Sequence, residues 1–179
     1  MEPSWTRRKR DLIILDKTGS KAPSLRFLFA HPAHLIACGF GSGLSPFAPG
    51  TAGTLFAWAS FLLLRPWMGD VVLLSLLAIC FVGGIFVVHK TGADLGVTDH
   101  GSIVWDEIVP FWFVLFFCPA GLLWQTTAFV LFRLFDIFKP QPAKYFDQKV
   151  KNGFGVMADD LVAAAYSVLV LALLHHFQT

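Results

Sequence analysis

The chain has 179 residues, 55% of them hydrophobic and 15% charged, with a mean hydropathy of +0.63. Soluble domains carry about 25% charged residues, so this composition excludes disorder, a collagen-like fibre and an ordinary soluble domain, and the length leaves no room for a second compact unit. The formal charge of +2 conceals an asymmetry: residues 1–26 hold seven Lys/Arg against three Asp/Glu, whereas residues 27–179 hold seven against nine.

Residues 1–26 therefore read as a basic cytoplasmic amino-terminal arm. It is either a positive-inside anchor or a patch for anionic headgroups, worth about 1 kcal/mol per basic residue near the surface. Arg7-Arg8-Lys9-Arg10 is followed by Asp11 where a signal sequence would turn apolar, so secretion is not expected. Leu12 to Ser20, with Asp16 after an apolar run, looks like the strand and aspartyl loop of haloacid-dehalogenase-type phosphatases. The alternating strands and helices of that fold have nowhere to go in the membrane-like chain beyond Arg26.

Beyond the arm, no Asp, Glu, Lys or Arg occurs in 28–64, 71–88, 108–132 or 161–179. Runs of that length span bilayers. Phe27 to Gly50 is apolar but broken by Pro32, Pro46 and Pro49, which predicts a short helix and a re-entrant or interfacial loop. The predicted spans are then Ala52–Leu64, Val71–Val88, Ile103–Cys118, Leu122–Phe138 and Leu161–Phe177. Arg65 to Asp70 and Pro119 to Gly121 form tight turns, and Pro140 stops the fourth helix at Lys139. The predicted architecture is all-α, a polytopic helical membrane protein of about four to five spans or membrane-embedded helices. Cys38, Cys80 and Cys118 lie in apolar runs and read as reduced thiols.

Lys/Arg in the short loops place the amino terminus in the cytoplasm, with Arg65 alone opposite. On the same map eleven of the twelve acids, all but Asp70, also fall on or near the cytoplasmic side. The positive-inside rule does not predict this. Five features meet on that face: the loop Gly41 to Thr54, Asp106-Glu107, the run Arg133, Asp136 and Lys139, Asp147, and Gly153 to Asp160.

Each has a plain structural explanation, in turn chemistry or in charges placed against helix dipoles. In Asp159-Asp160 the dipole reading puts both acids in the first turn of the last helix. Together, however, two adjacent carboxylate pairs and Asp136 would repel unless a cation or protons lay among them. Mg²⁺ is the economical cation, because it takes oxygen ligands from a few carboxylates plus substrate phosphate. The candidate ligands are Asp106, Glu107, Asp136, Asp159 and Asp160. Arg133, Asp136 and Lys139 share roughly one helical face, a carboxylate between two phosphate-binding cations. Gly41, Ser42, Gly43, Ser45, Gly50 and Thr51 allow backbone amides and hydroxyls to approach an anion, with a helix opening at Thr51 or Ala52. His100 is either a general acid or base, the role for which imidazole chemistry suits a histidine, or a side chain that structures its loop. The other histidines, His34 among them, are read at interfaces or membrane edges.

Taken in order, Gly41–Pro46 with Pro49–Thr51, Asp99–Glu107, Phe132–Pro140 with Asp147, and Gly153–Asp160 resemble the motifs of phosphatidylglycerophosphatase A. The resemblance runs from about His34 to the last span. It implies that residues 27–179 form one helical membrane phosphatase domain in the bacterial inner membrane. It further implies Mg²⁺-dependent removal of the terminal phosphate of phosphatidylglycerophosphate, leaving phosphatidylglycerol, with the active site on the cytoplasmic face. Two positions depart from the family pattern: Pro110 stands where Gly is usual, and Ala163-Ala164 replaces Ala-Gly. A kink at Pro110 would shift Asp106 and Glu107.

In that reading the phosphate leaves with Asp136, Arg133, Lys139 and His100 as catalytic groups. Either a water or an aspartate is the nucleophile. Two rivals are a phosphatidyltransferase acting on nucleotide-activated lipid, whose spaced aspartates are not found, and an ion or lipid transporter, which would bury acids deep in several spans. No nucleic-acid partner is expected, and no protein partner is inferable.

Overall fold

A computed structural model describes residues 13–15 and 21–178, with side chains described from Pro23 onward. Residues 1–12 and 16–20, which hold most of the basic arm and the Asp16 loop, lie outside the described residues. The apolar run before Asp16 forms a short strand, β1 (Ile13–Leu15), which the all-α expectation did not include. It pairs antiparallel with β2 (Lys21–Pro23), Ile14 facing Ala22. Among the described residues these two strands form the whole sheet, so the doubly wound alternative has no counterpart there.

Two six-residue helices come next, α1 (Leu25–Ala30) and α2 (Pro32–Ala37). The Ser24 hydroxyl caps the first by accepting from the Phe27 amide at 3.2 Å, and His31 Nδ1 caps the second by accepting from the Ala33 amide at 3.0 Å. A 3₁₀ segment (Gly39–Leu44) then leads to the five long helices: α3 (Pro49–Leu64), α4 (Asp70–Leu95), α5 (Trp105–Phe117), α6 (Leu122–Phe138) and α8 (Gly153–His176). The short α7 (Ala143–Lys149) precedes the last of these. The long helices run alternately up and down, and α8 packs against α4, α5, α6 and α7, while α5 bridges α3 and α8.

The first long helix opens at Pro49, ahead of the expected Thr51 or Ala52, because a proline is accommodated at the first helical position; two other predicted boundaries move furthest. The second helix continues past the apolar run through His89, Lys90 and Asp94 and stops only at Gly96, whose φ of 78° admits the left-handed cap. The last helix begins eight residues earlier than Leu161. Asn152 Oδ1 accepts from the Gly155 amide at 3.0 Å, and Gly153 lies so close to α4 that a Cβ there would stand 2.1 Å from the Ile85 carbonyl oxygen. Asp159 and Asp160 are thus two turns inside α8. The helix-dipole explanation of this acidic pair fails.

Among the described residues, α4 and α8 are long and apolar enough to cross a membrane. Their 26 and 24 residues rise about 39 and 36 Å against a hydrocarbon core of about 30 Å. The other three long helices have 16, 13 and 17 residues, rising about 20 to 26 Å.

Indole N–H groups tie the bundle together: Trp112 donates to the Ala57 carbonyl (2.9 Å) and Ser60 Oγ (3.1 Å), Trp105 to the Cys80 carbonyl (3.2 Å), and Trp58 to Gln125 Oε1 (2.8 Å). Phe111, Phe132, Ile108 and Val114 fill the space between α5 and its neighbours. All three cysteines are free. His34, expected at an edge, is buried, with Nδ1 at 2.9 Å from the Phe27 carbonyl and Nε2 at 2.8 Å from Asp94 Oδ2.

Candidate active site

The chain direction brings the starts of α3, α5 and α8 and the ends of α4 and α6 to one end of the bundle. Arg65 and Asp70, paired at 2.7 Å and well exposed, mark the opposite end.

Arg133, in the second-last turn of α6, is the hub. Its Nη1 lies 2.6 Å from Asp136 Oδ2, one turn along the same helix, and 3.5 Å from Glu107 Oε1 at the start of α5. It also reaches Thr54 Oγ1 at 3.4 Å, and that hydroxyl in turn donates to the Gly50 carbonyl at 2.8 Å. Pro49 starts α3 with its fixed φ and presents Gly50 to the pair. A Cβ on Gly50 would stand 2.1 Å from Glu107 Oε1 and 3.1 Å from both terminal nitrogens of Arg133. The glycine makes room for the ion pair.

Beside this pair, Asp106, Glu107 and Asp160 each offer a carboxylate oxygen within 4.8 Å of the others. Asp106 and Asp160 are 5% and 3% exposed. Asp106 Oδ1 and Glu107 Oε2 are buried without a hydrogen-bond partner. Leaving such an atom unsatisfied costs about 1–3 kcal/mol, more when it is charged. An all-oxygen donor set with two orphaned acceptors fits a hard divalent ion such as Mg²⁺.

A second subcluster adjoins the first. Lys139 caps α6 in the left-handed region, φ 44°, where Pro140 forbids continuation, and its Nζ lies 2.5 Å from Asp159 Oδ2 and 3.1 Å from Asp147 Oδ1 of α7. Asp159 Oδ1 accepts from the Asp160 amide at 2.9 Å. Burial alone draws the Lys139 ammonium down, but the carboxylates of Asp159, Asp160 and Asp147 outweigh it and hold its pKa above the ordinary lysine value.

The Gly/Ser/Thr loop divides its labour. Ser42 Oγ donates to the Gly39 carbonyl (2.8 Å) and Ser45 Oγ to the Phe47 carbonyl (2.8 Å), so both hydroxyls are engaged within the loop. Gly41 lies against Leu28, and Gly43 against the Ser102 carbonyl, where a Cβ would come within 2.1 Å. Thr51 is half-buried in the first turn of α3. Of these residues it is Gly50 that the structure brings against the charged cluster. His100 Nδ1 accepts from the Ser102 amide at 3.2 Å, the loop-structuring contact, and the ring also lines a cavity of about 520 Å³ with Ser45, Pro46 and Asp99. A second cavity, about 340 Å³, is walled by Thr98, Asp99, Asp147, Lys151 and Asp159. Backbone strain gathers nearby: among the described residues the non-glycine positions with positive φ are Phe40, Ala48 and Lys139.

Sequence reasoning missed Asp99 as a site residue and placed Thr54 only at the end of the Gly/Ser/Thr loop, without its contact to Arg133. Asp99 walls both cavities and stands near enough to Asp106, Glu107 and Asp159 to repel them. Its place in the Asp-His-Gly-Ser turn was the available signal. Thr54, four residues after Gly50 on α3, carried the i, i+4 spacing that lets its hydroxyl bond back and face Arg133.

Residues 35–175, which hold all of this machinery, match the family model described as phosphatidylglycerophosphatase A. A protein of that name from Haemophilus influenzae is 48% identical over 151 residues, covering 83% of this chain and 92% of its own. Another of the same name, from Escherichia coli, is 43% identical over 154 residues, covering 84% and 88%. A third relative, from Bacteroides thetaiotaomicron, is 39% identical over 145 residues, covering 77% and 90%, and carries a provisional phosphatidylinositol-3-phosphatase name. Among solved structures none matches. Spanning nearly all of these relatives and the whole charged end of the bundle, the chain belongs to the phosphatidylglycerophosphatase A family.

Proposed function

We propose that the protein is a Mg²⁺-dependent lipid phosphatase that hydrolyses phosphatidylglycerophosphate to phosphatidylglycerol and phosphate at the cytoplasmic face of a bacterial inner membrane. The observation that carries this reading is the set of buried Asp106 and Asp160 with half-buried Glu107, including two orphaned oxygens, beside Arg133. Family membership supplies the substrate class, and the apolar outer faces of α4 and α8 supply a place for the lipid tails. The shorter α3, α5 and α6 lie alongside them in the membrane-embedded body.

Asp106, Glu107 and Asp160 would hold the ion, which when bound supplies Lewis acidity and charge neutralisation at the phosphoryl oxygens. Arg133 meets the developing charge on those oxygens, with Asp136 and Thr54 holding the guanidinium in register. Water, or an aspartate later released by water, forms the new bond to phosphorus as the bond to the glycerol oxygen breaks. That oxygen takes a proton to become the phosphatidylglycerol hydroxyl, and His100, on the wall of the larger cavity, is the proposed donor.

The test is phosphate release from phosphatidylglycerophosphate by the purified protein, chelated and then resupplied with Mg²⁺. Release that depends on Mg²⁺ supports the reading. Equal release after chelation refutes the metal requirement, and no release under either condition refutes the function.

A further inference from the structure

We propose that Lys139 is a built-in second cation of the acidic end: its ammonium engages Asp147 and Asp159, carboxylates that a second metal ion would otherwise claim, so the site takes one divalent ion. This rests on the metal-dependent reading above and adds the ion count and the role of Lys139.

The argument is one of ligand supply. Two-metal sites hold their ions about 3.5–4 Å apart and need carboxylates for both. Asp159 is the acid adjacent to Asp160 and the natural donor to a neighbouring ion. Both of its oxygens are engaged, Oδ2 by Lys139 Nζ at 2.5 Å and Oδ1 by the Asp160 amide at 2.9 Å. Asp147 is held by the same ammonium at 3.1 Å. By contrast the unsatisfied carboxylate oxygens among the described residues fall in the other subcluster, on Asp106 and Glu107. One group of acids is closed by a side chain and the other is left open.

The backbone is committed to this arrangement. Lys139 sits in the left-handed region, at φ 44°, sparsely populated for a residue with a Cβ, and from there its side chain reaches across to α7 and α8. A buried Asp159, 3% exposed, without this partner would carry an uncompensated charge, which is the condition that recruits a metal ion.

The experiment uses the full chain purified in detergent and Mn²⁺ as the probe, with stoichiometry read by calorimetry and ion pairing by electron paramagnetic resonance. Wild-type protein is expected to bind about one Mn²⁺ with the spectrum of an isolated ion. Lys139→Met frees both carboxylates and is expected to bind a second ion, with spin coupling between the two. Lys139→Arg, which keeps the cation, should return to about one. Two coupled ions in wild-type protein would overturn the proposal while leaving the metal-dependent reading intact. No ion in the wild type would overturn that reading and the proposal with it. Should Lys139→Met fail to fold, the wild-type and Lys139→Arg stoichiometries still decide, and a folded Lys139→Met with one ion counts against the proposal.

Discussion

Gly50→Ala tests the contact between α3 and the charged pair most sharply, since one methyl group enters at a known place. The new Cβ would stand 2.1 Å from Glu107 Oε1, and ordinary contact begins at 3.4 Å, so the carboxylate must retreat by about 1.3 Å or Arg133 must turn aside with it. The atoms displaced are ends of side chains, and the backbone φ of Gly50 is one alanine adopts, so the fold survives. Alanine in a helix gains about 0.5–1 kcal/mol over glycine, which offsets the repacking. Turnover has no such compensation. A misplacement of about 1 Å at a reacting centre costs about 10²-fold, equivalent to about 2.7 kcal/mol at 1.36 kcal/mol per decade. Expected together are a thermal midpoint close to wild type and a kcat/KM lowered about a hundredfold, with Gly83→Ala as the control because a Cβ there meets nothing within 4 Å. Gly50→Ala with wild-type kcat/KM would refute the idea that Glu107 and Arg133 act from the positions described.

Arg133→Lys keeps the charge but loses the fork, so kcat/KM should fall by at least about tenfold and stay low as Mg²⁺ is raised; wild-type turnover would make Arg133 a snorkelling side chain instead. Asp106→Asn and Asp160→Asn should abolish high-affinity Mn²⁺ binding in calorimetry and cut turnover strongly while membrane insertion is unchanged. Asp70→Asn breaks an exposed pair with Arg65 at the far end, and activity within twofold of wild type with a stability change below about 1 kcal/mol is expected. A cytoplasm-dependent reporter fused after Thr179 should be inactive, because α8 runs away from the acidic end; an active fusion would reverse the topology.

The charge-free runs located the five long helices, because in a chain this apolar the charges fall at helix ends. Pro140 set the end of α6 to the residue, through its missing amide. Where charge and helix part company, the reading failed. His89, Lys90 and Asp94 interrupt hydropathy but not helix propensity, so α4 runs on until Gly96. Gly153 and Gly155 precede the helix expected from Leu161, and only the closeness of the Ile85 and Val150 carbonyls shows why small residues open it there. The carboxylates of the open subcluster were legible from adjacency and shared sidedness. The lock on Asp159 was not, since Lys139 lies twenty residues away and reaches it through a backbone conformation that its residue type does not announce.

The two ends of the bundle are joined in unlike ways. Arg65 to Gly69 and Cys118 to Gly121 are brief turns that touch no part of the charged machinery, whereas residues 96–104 and 139–152 carry Asp99, His100, Lys139 and Asp147 themselves. Neutral drift should therefore be polarised along the helix axes. Insertions, changes of length and exchanges of side chain will accumulate at the outer hairpins, where selection sees little beyond solubility, while the connections at the other end evolve under the constraint of chemistry. The same polarity makes the outer hairpins, at Gly69 and Gly121, the places to attach a fluorophore or graft a tag when the protein is followed in a living membrane.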